Sequence, residues 1–312
     1  DYLYDNTDWE IHGIIRWRSN LENITRHIPA INDGQRIRLH YGDLTDLESL
    51  DKVGREQNFD YAFHLAAQSF PKTSFTAANH TYETNVQGTE NIMNILFKYS
   101  PDAIVHNCSS SEVFGRVPKE YVPIKEDTPF HPASPYAISK CGTDLIGRYY
   151  AESKGLNVQT TRMFTHTGPR RGDVFMESTF CKQIALIESG YIEPVIKVGN
   201  LDSVRTIADV RDAVRAYFML VTTEKLKAGE VYNIGGSYTT TVKKILEFLI
   251  NLSTEKNLRY KIDKERLRPI DADLQIPDTT KFRKLTGWQP KIEFDETMLD
   301  LLNYWREKIK LN

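Results

Sequence analysis

Tyr61-Ala62-Phe63-His64-Leu65, a helical pattern over Tyr82 to Tyr99, and Ala103-Ile104-Val105-His106-Asn107-Cys108 make up the stretch that decides the fold. Two short apolar runs flank a long segment of helical periodicity. That is the pattern of a β-α-β unit, whose strands lie parallel in one sheet. The rhythm extends both ways. Glu10 to Arg16 and Arg36 to Tyr41 read as strands, the second ending in Gly42-Asp43-Leu44, and Leu47 to Glu56 reads as a helix. Further on, Tyr136 to Lys154 reads as a long helix and Val158 to Phe164 as another strand. We expect an α/β fold with a doubly wound parallel sheet. Ligands of such sheets sit at the carboxyl ends of the strands. Asp43, Gln68, Ser110 and Thr165 all fall just past such ends.

The second half is less regular. Pro169-Arg170-Arg171-Gly172 breaks the rhythm. Helices are expected over Ser178 to Ser189, Asp209 to Val221, Thr241 to Ser253 and Asp295 to Lys308, with a strand at Val231 to Ile234. We expect a nucleotide-binding domain of residues 1–164 plus 207–235. A smaller mixed lobe of 165–206 plus 236–312 would cover its strand ends. The dinucleotide fingerprint G-x-G-x-x-G, which should follow a first strand, is nowhere in the sequence. The opening Asp1-Tyr2-Leu3-Tyr4-Asp5 reads as the end of a helix. The expectation is that the first strand and its glycine-rich loop are absent from the chain as given.

At 312 residues the chain can bury a full core. A net charge of −2, with 26% charged residues, gives no support to a nucleic-acid partner. Apolar runs such as Ala213 to Val221 are too short to span a bilayer. The cysteines Cys108, Cys141 and Cys181 are scattered and odd in number. They suit neither a disulfide framework nor a metal site, so a cytoplasmic location is expected. The eight histidines form no ligand spacing, and no metal is expected.

The chemistry concentrates in Asn107-Cys108-Ser109-Ser110-Ser111-Glu112-Val113-Phe114-Gly115 and Ser134-Pro135-Tyr136-Ala137-Ile138-Ser139-Lys140. Tyr136 and Lys140 lie four apart, on one helical face. An ammonium beside a phenol favours the phenolate and makes it a useful base. Serines at a strand end can hydrogen-bond a substrate hydroxyl, and Glu112 adds a second acid/base group. The set suits removal of a hydride from a secondary alcohol together with a separate proton transfer. Tyr-x-x-x-Lys alone is an ordinary exposed pair; the serine strand before it makes the difference.

On these residues the chain resembles the extended short-chain dehydrogenase/reductase superfamily, a Rossmann-like fold, and within it the GDP-mannose 4,6-dehydratases. Tyr41-Gly42-Asp43-Leu44-Thr45-Asp46, Leu65-Ala66-Ala67-Gln68-Ser69, Ser109 to Glu112, and Ser134 to Ala137 with Lys140 carry the superfamily signal. Pro169-Arg170-Arg171-Gly172, Gly199-Asn200-Leu201-Asp202, Arg205, Arg268-Pro269 and Gly287-Trp288 are narrower and point to a GDP-sugar. The resemblance implies a tightly held nicotinamide cofactor. It implies a catalytic set of Ser110, Glu112, Tyr136 and Lys140. It places Asp43, Leu44, Leu65, Ala66 and Ala67, together with Tyr136 and Lys140, at the cofactor. It places Gln68, Ser69, Ser74, Ser111, Thr165, Arg171, Lys182, Arg205, Arg268 and Asp271 at the substrate, the arginines on its diphosphate. Relatives also imply a homodimer or homotetramer, built through the Tyr82–Tyr99 and Ala137–Lys154 helices.

The cofactor type can be read separately. NAD-binding chains carry an acid at the end of the second strand. Here that end is Gly13-Ile14-Ile15-Arg16-Trp17-Arg18-Ser19, with no acid. Arg16 and Arg18 suit a 2′-phosphate, so NADP is expected over NAD. The alternative is that both are simply solvated. Asp43 could equally cap the next helix. One stretch departs from the dehydratase pattern. Where the family usually has Asn-His-Glu-Ser-Pro, this chain has Thr165-His166-Thr167-Gly168-Pro169. That opens the sugar to GDP-manno-heptose as well as GDP-mannose. Two other readings stay open. One is a GDP-4-keto-6-deoxy-sugar reductase or a 4-epimerase. The other is a catalytically inactive nucleotide-binding regulatory protein of the same fold.

Overall fold

The computed structural model describes residues 1–267 and 273–311. Among the described residues, the strands of the first half, with β9, form two parallel sheets. β1 (Ile11–Ile15) pairs with β2 (Ile37–Tyr41) in parallel, Ile11 opposite Ile37. β3 (Tyr61–His64), β4 (Ile104–Cys108), β5 (Asn157–Met163) and β9 (Val231–Ile234) form the second sheet in the order β3-β4-β5-β9, all parallel. Trp9 stacks on Tyr61 at 4.3 Å, beside the amino ends of β1 and β3. The expected alternation of strands and helices is thus present, with its carboxyl ends on one side.

β5 is a central strand, yet it reads Asn157-Val-Gln-Thr-Thr-Arg-Met163. A parallel strand covered on both faces is usually apolar. Here most of the polar groups are tied down, although the buried Gln159 Oε1 has no partner. The buried Arg162 forks onto Asp144 at 2.7 and 3.0 Å and donates to the Glu126 carbonyl at 2.7 Å. Thr161 meets His106 of β4 at 2.8 Å. The helix above, Pro135–Lys154, starts at a Ser134 cap whose Oγ accepts from Ala137 N at 3.1 Å. It ends at Gly155 with φ 78°. Gly147 lets it settle onto the sheet, because a Cβ there would lie 2.5 Å from the Asn107 amide.

The helix expected over Tyr82 to Tyr99 is broken by a π-helical turn. Ala78–Tyr82 runs into a π turn at Glu83–Gln87 and then into Gly88–Tyr99. The turn places Asn85 where its amide donates to Ser139 Oγ at 2.9 Å and its carbonyl accepts from Thr143 Oγ1 at 3.1 Å. Both partners belong to the Pro135–Lys154 helix, so the irregularity fixes the helix that carries Tyr136.

A second lobe lies over the carboxyl ends. β8 (Val204–Asp209) stands between antiparallel β10 (Tyr238–Thr241) and the parallel β12 (Leu274–Gln275), and also pairs with β6 (His166–Thr167). β7 (Val195–Val198) pairs with β11 (Arg259–Ile262). Helices Met176–Glu188, Val242–Asn251 and Phe294–Lys310 pack around Ile184, Ile196, Ile207, Leu249, Met298 and Leu301. Gly236 carries the chain from β9 into this lobe; a Cβ there would sit 1.7 Å from the Ile207 carbonyl oxygen. Among the described residues, no helix is long and apolar enough to cross a membrane.

Candidate active site

A cavity of about 730 Å³ opens between the strand ends and the second lobe. Leu65, Ala67 and Ser69 follow β3; Cys108 to Glu112 end and follow β4; Met163 to His166 end and follow β5. Tyr136 and Lys140 enter from the first turns of their helix. Arg171, Phe175, Glu177, Thr179, Arg205 and Arg266 close it from the other side.

The local chain dictates this placement. After β4 the backbone stays extended at Ser110, with φ −158°, and then coils into a short 3-10 turn over Ser111–Phe114. Ser110 Oγ caps the turn by accepting from Glu112 N at 3.2 Å. Serine and carboxylate are thereby presented side by side over the same cavity. Tyr136 is buried, and burial pushes its phenol well above the ordinary value, with the Glu112 charge adding to the rise. Ser110 and the positive charge of Arg171 pull it back down.

Lys140 is also buried. Its Nζ donates to the Cys108 carbonyl at 2.7 Å, and burial lowers its pKa. This differs from the expectation that the ammonium would act directly on the phenol. Its partner is instead the carbonyl dipole at the strand end, because β4 stops where the lysine points. Beneath lie His64 and His106, both held neutral by burial to a pKa of about 3, with the Lys140 charge adding to the shift. His166 is lowered to about 4 by burial and by Arg171.

Other expected residues scatter. Ser69, Ser111, Thr165, Arg171 and Arg205 line the cavity, as do Leu65 and Ala67. Gln68 does not reach it with its amide: Nε2 donates to Thr81 at 3.0 Å and Oε1 accepts from Phe70 N at 2.6 Å. Ser74 is buried, its hydroxyl donating to the Pro71 carbonyl at 2.6 Å within its own helix. Lys182 lies on the next turn of its helix, outside the cavity, paired with Asp173 at 2.6 Å; Thr179 takes the inward position instead. Ala66 does not line the cavity though its neighbours do. Arg268 and Asp271 lie outside the described residues.

Four residues stand apart, at the carboxyl ends of β1 and β2. Arg16 and Arg18 are exposed, the latter with a left-handed φ of 65°. Asp43 is not the cap of the Leu47–Glu56 helix; Asp46 is, accepting from Glu48 N and Ser49 N. Asp43 instead accepts from Thr45 N at 2.9 Å and Thr45 Oγ1 at 2.8 Å, which lowers its pKa, and the Arg16 charge lowers it further. Leu44 packs against Gly88, and its carbonyl accepts from Asn91 Nδ2 at 2.8 Å.

The residues present fit a nicotinamide nucleotide. A buried ammonium with one named carbonyl partner keeps further donors for ribose hydroxyls. Ala67 beside it leaves room for a close approach. Arg16 and Arg18 are exposed cations at the end of β1. Cys108, Phe175, Glu177 and Tyr217 also line the cavity and were not expected from the sequence. Tyr217 stacks on His106 at 4.2 Å, and its hydroxyl lies 3.9 Å from Cys108 Sγ. Only the crossing of the Val210–Val221 helix over β4 brings them together, and local sequence does not record that.

Comparison with known proteins agrees with this geometry. GDP-mannose 4,6 dehydratase of Drosophila melanogaster is 31% identical over 98% of this chain and 82% of its own length. The human protein of that name is 27% identical over 97% of this chain and 87% of its own. GDP-6-deoxy-D-mannose reductase of Pseudomonas aeruginosa is 27% identical, covering 87% of this chain and 88% of its own. Among solved structures, RMD from Pseudomonas aeruginosa complexed with NADPH superposes with a TM-score of 0.82 at 25% identity, covering 96% of this chain and 99% of its own. The family model described as GDP-mannose 4,6 dehydratase matches residues 1–301, and the chain therefore belongs to the GDP-mannose 4,6-dehydratase family.

Proposed function

We propose that this chain dehydrates a GDP-manno sugar, GDP-mannose or GDP-manno-heptose, to its 4-keto-6-deoxy product, with NADP as resident cofactor. The observation that carries the reading is the convergence of Ser110, Glu112, Tyr136 and Lys140 on one cavity at the strand ends. Tyr136 takes the proton of the sugar's 4-hydroxyl while Ser110 orients that hydroxyl. A bound nicotinamide, which Tyr136 and Lys140 would hold, would supply the acceptor for the C4 hydride and the donor for its return to C6. A C4 ketone acidifies C5, so a carboxylate becomes a strong enough base for the next step. Glu112 removes the C5 proton and protonates the hydroxyl leaving C6 as water. Lys140 anchors the nicotinamide ribose with the donors that its bond to the Cys108 carbonyl leaves over. Arg205, with Arg268 beyond the described residues, is positioned for the diphosphate.

NADP over NAD is supported by Arg16 and Arg18, two exposed forks at the end of β1 with no acid beside them in sequence. The arrangement is consistent with a nucleotide domain of 1–164 plus 207–235 and a sugar lobe of 165–206 plus 236–312. A homodimer is supported by the Pro135–Lys154 helix, where Ile138, Leu145 and Tyr149, spaced seven and four residues apart, remain exposed along one face. The match to a reductase favours one second reading, reduction of a 4-keto sugar. A single experiment separates the two. Incubated with GDP-mannose or GDP-manno-heptose, the enzyme should release a product lighter by one water without added reductant. Product formation that consumes reductant in proportion would establish the reductase instead.

A further inference from the structure

The Gly168–Gly172 loop turns two neighbouring arginines in opposite directions. Arg170 adopts a left-handed φ of 69°. Its guanidinium points outward, onto the Asn23 carbonyl at 2.7 Å and the Asp1 carboxylate. Arg171 points inward. It lines the cavity with Tyr136, and its guanidinium lies 3.5 Å over the Phe175 ring. Its Nε is buried and has no hydrogen-bond partner. No carboxylate among the described residues forms an ion pair with it, although Glu177 and the phenols of Tyr136 and Tyr217 are near enough to interact electrostatically. His166 is the remaining titratable neighbour and is kept neutral in part by this cation.

An unpaired guanidinium in such a place is expensive. Even for a half-buried guanidinium stacked on an aromatic ring, a charge without an ionic partner is disfavoured. The cost is recovered when a ligand oxygen carrying negative charge arrives. Arg171 lines the same cavity as Ser110 and Tyr136 and lies within electrostatic reach of the phenol, which brings the reacting end of the sugar within its range.

We propose that Arg171 stabilises negative charge on the C4 oxygen of the substrate during elimination. The proposal rests on the dehydratase reading above. Glu112 takes the C5 proton; the C5–H pair becomes the second C4–C5 bond, and the carbonyl pair moves onto the C4 oxygen. That enolate oxygen is where the guanidinium donates. The charge then returns to reform the C4 carbonyl, the C4–C5 pair shifts to C5–C6, and hydroxide leaves C6 with the proton held by Glu112. No electron or proton is left over. Arg171 is thereby assigned to the transition state of elimination rather than to the diphosphate. Preorganised donors aimed at a developing oxyanion are worth most in a site closed to water.

The test uses the 4-keto-6-deoxy GDP-sugar product, which needs no hydride transfer to enolise. Full-length enzyme is incubated with it in deuterium oxide, and label at C5 is followed by NMR. Wild type should exchange C5 hydrogen. Arg171→Met should exchange about 10²-fold more slowly at saturating ligand, the scale for a lost oxyanion donor. Arg171→Lys should recover part of the rate, and GDP affinity should change by less than about twofold, well under 1 kcal/mol. If Arg171→Met does not fold, Arg171→Gln is compared with Arg171→Lys, and the lysine variant should be the faster. Unchanged exchange at saturation with weakened GDP binding would place Arg171 on the diphosphate and overturn the proposal. Wild-type enzyme that cannot exchange C5 at all would overturn the dehydratase reading itself, and the proposal with it.

Discussion

The junction of β4 with the Pro135–Lys154 helix and the paired ends of β1 and β2 both carry residues that the sequence marks out, but they are built differently. At the first, Tyr136 and Lys140 are buried and their titration is displaced by that burial. Histidines beneath them are held neutral. At the second, Arg16, Trp17 and Arg18 stand in solvent, Trp17 78% exposed and beside Tyr41 at 5.9 Å. Reaction chemistry is made by desolvation, which needs the whole fold. Recognition of a charged nucleotide end can be made by surface cations on one turn. Perturbation should therefore cost far more at the first region than at the second.

The largest effect should come from Tyr136→Phe, which removes the group that takes the hydroxyl proton. Its turnover should fall about 10²–10⁴-fold. Near-normal turnover would show that another group accepts that proton, and the contrast between the regions would lose its strongest member. Next comes Glu112→Gln, which keeps shape and hydrogen bonding but cannot accept a proton. Elimination should slow by about 10²-fold while oxidation at C4 persists. Rapid-quench analysis should then find 4-keto sugar that retains its C6 hydroxyl. Wild-type rates of water loss would make Glu112 structural.

In the exposed region the effect should be smaller. The double substitution Arg16→Ala/Arg18→Ala should weaken NADP by about tenfold, near 1.4 kcal/mol, and leave NAD unchanged. Equal loss for both cofactors, or none, would remove the argument for a 2′-phosphate site. The smallest change per group concerns pH. His64, His106 and His166 have folded pKa values of about 3, 3 and 4, below the ordinary 6.5. The unfolded chain binds those protons as pH falls through 6.5 and the folded chain does not, so stability must drop on acidification. Each histidine should cost about 1 kcal/mol between pH 6 and pH 5. Denaturant midpoints measured at the two pH values check this, and a flat profile would mean that the histidines titrate normally in the fold.

Much of this contrast could be read from the sequence. Strands β1 to β4 announce themselves through their apolar residues and β5 through its place after the capped Pro135–Lys154 helix, and Ser110, Glu112, Tyr136 and Lys140, singled out in the sequence, all line one cavity. The second lobe was harder. β11 reads Arg-Tyr-Lys-Ile and is exposed along its length, so no apolar pattern marks it. The family resemblance implied Gln68 and Ser74 as sugar ligands. Their hydrogen bonds are consumed by Thr81, Phe70 and Pro71, a choice that depends on how the Pro71–Thr76 helix folds back. Lys182 and Thr179 differ by one helical turn, and the lobe's core decides which faces inward. Arg171 was legible as an anion ligand, but its place beside Tyr136 required the two lobes to meet.

The central claim is that one enzyme oxidises C4 and reduces C6 of the same sugar. GDP-mannose carrying deuterium at C4 tests it directly, with the product analysed by mass spectrometry and NMR. The account predicts a product lighter by one water with the deuterium now on C6. Product that forms without deuterium at C6, or a requirement for an external hydrogen donor to place hydrogen there, would contradict it.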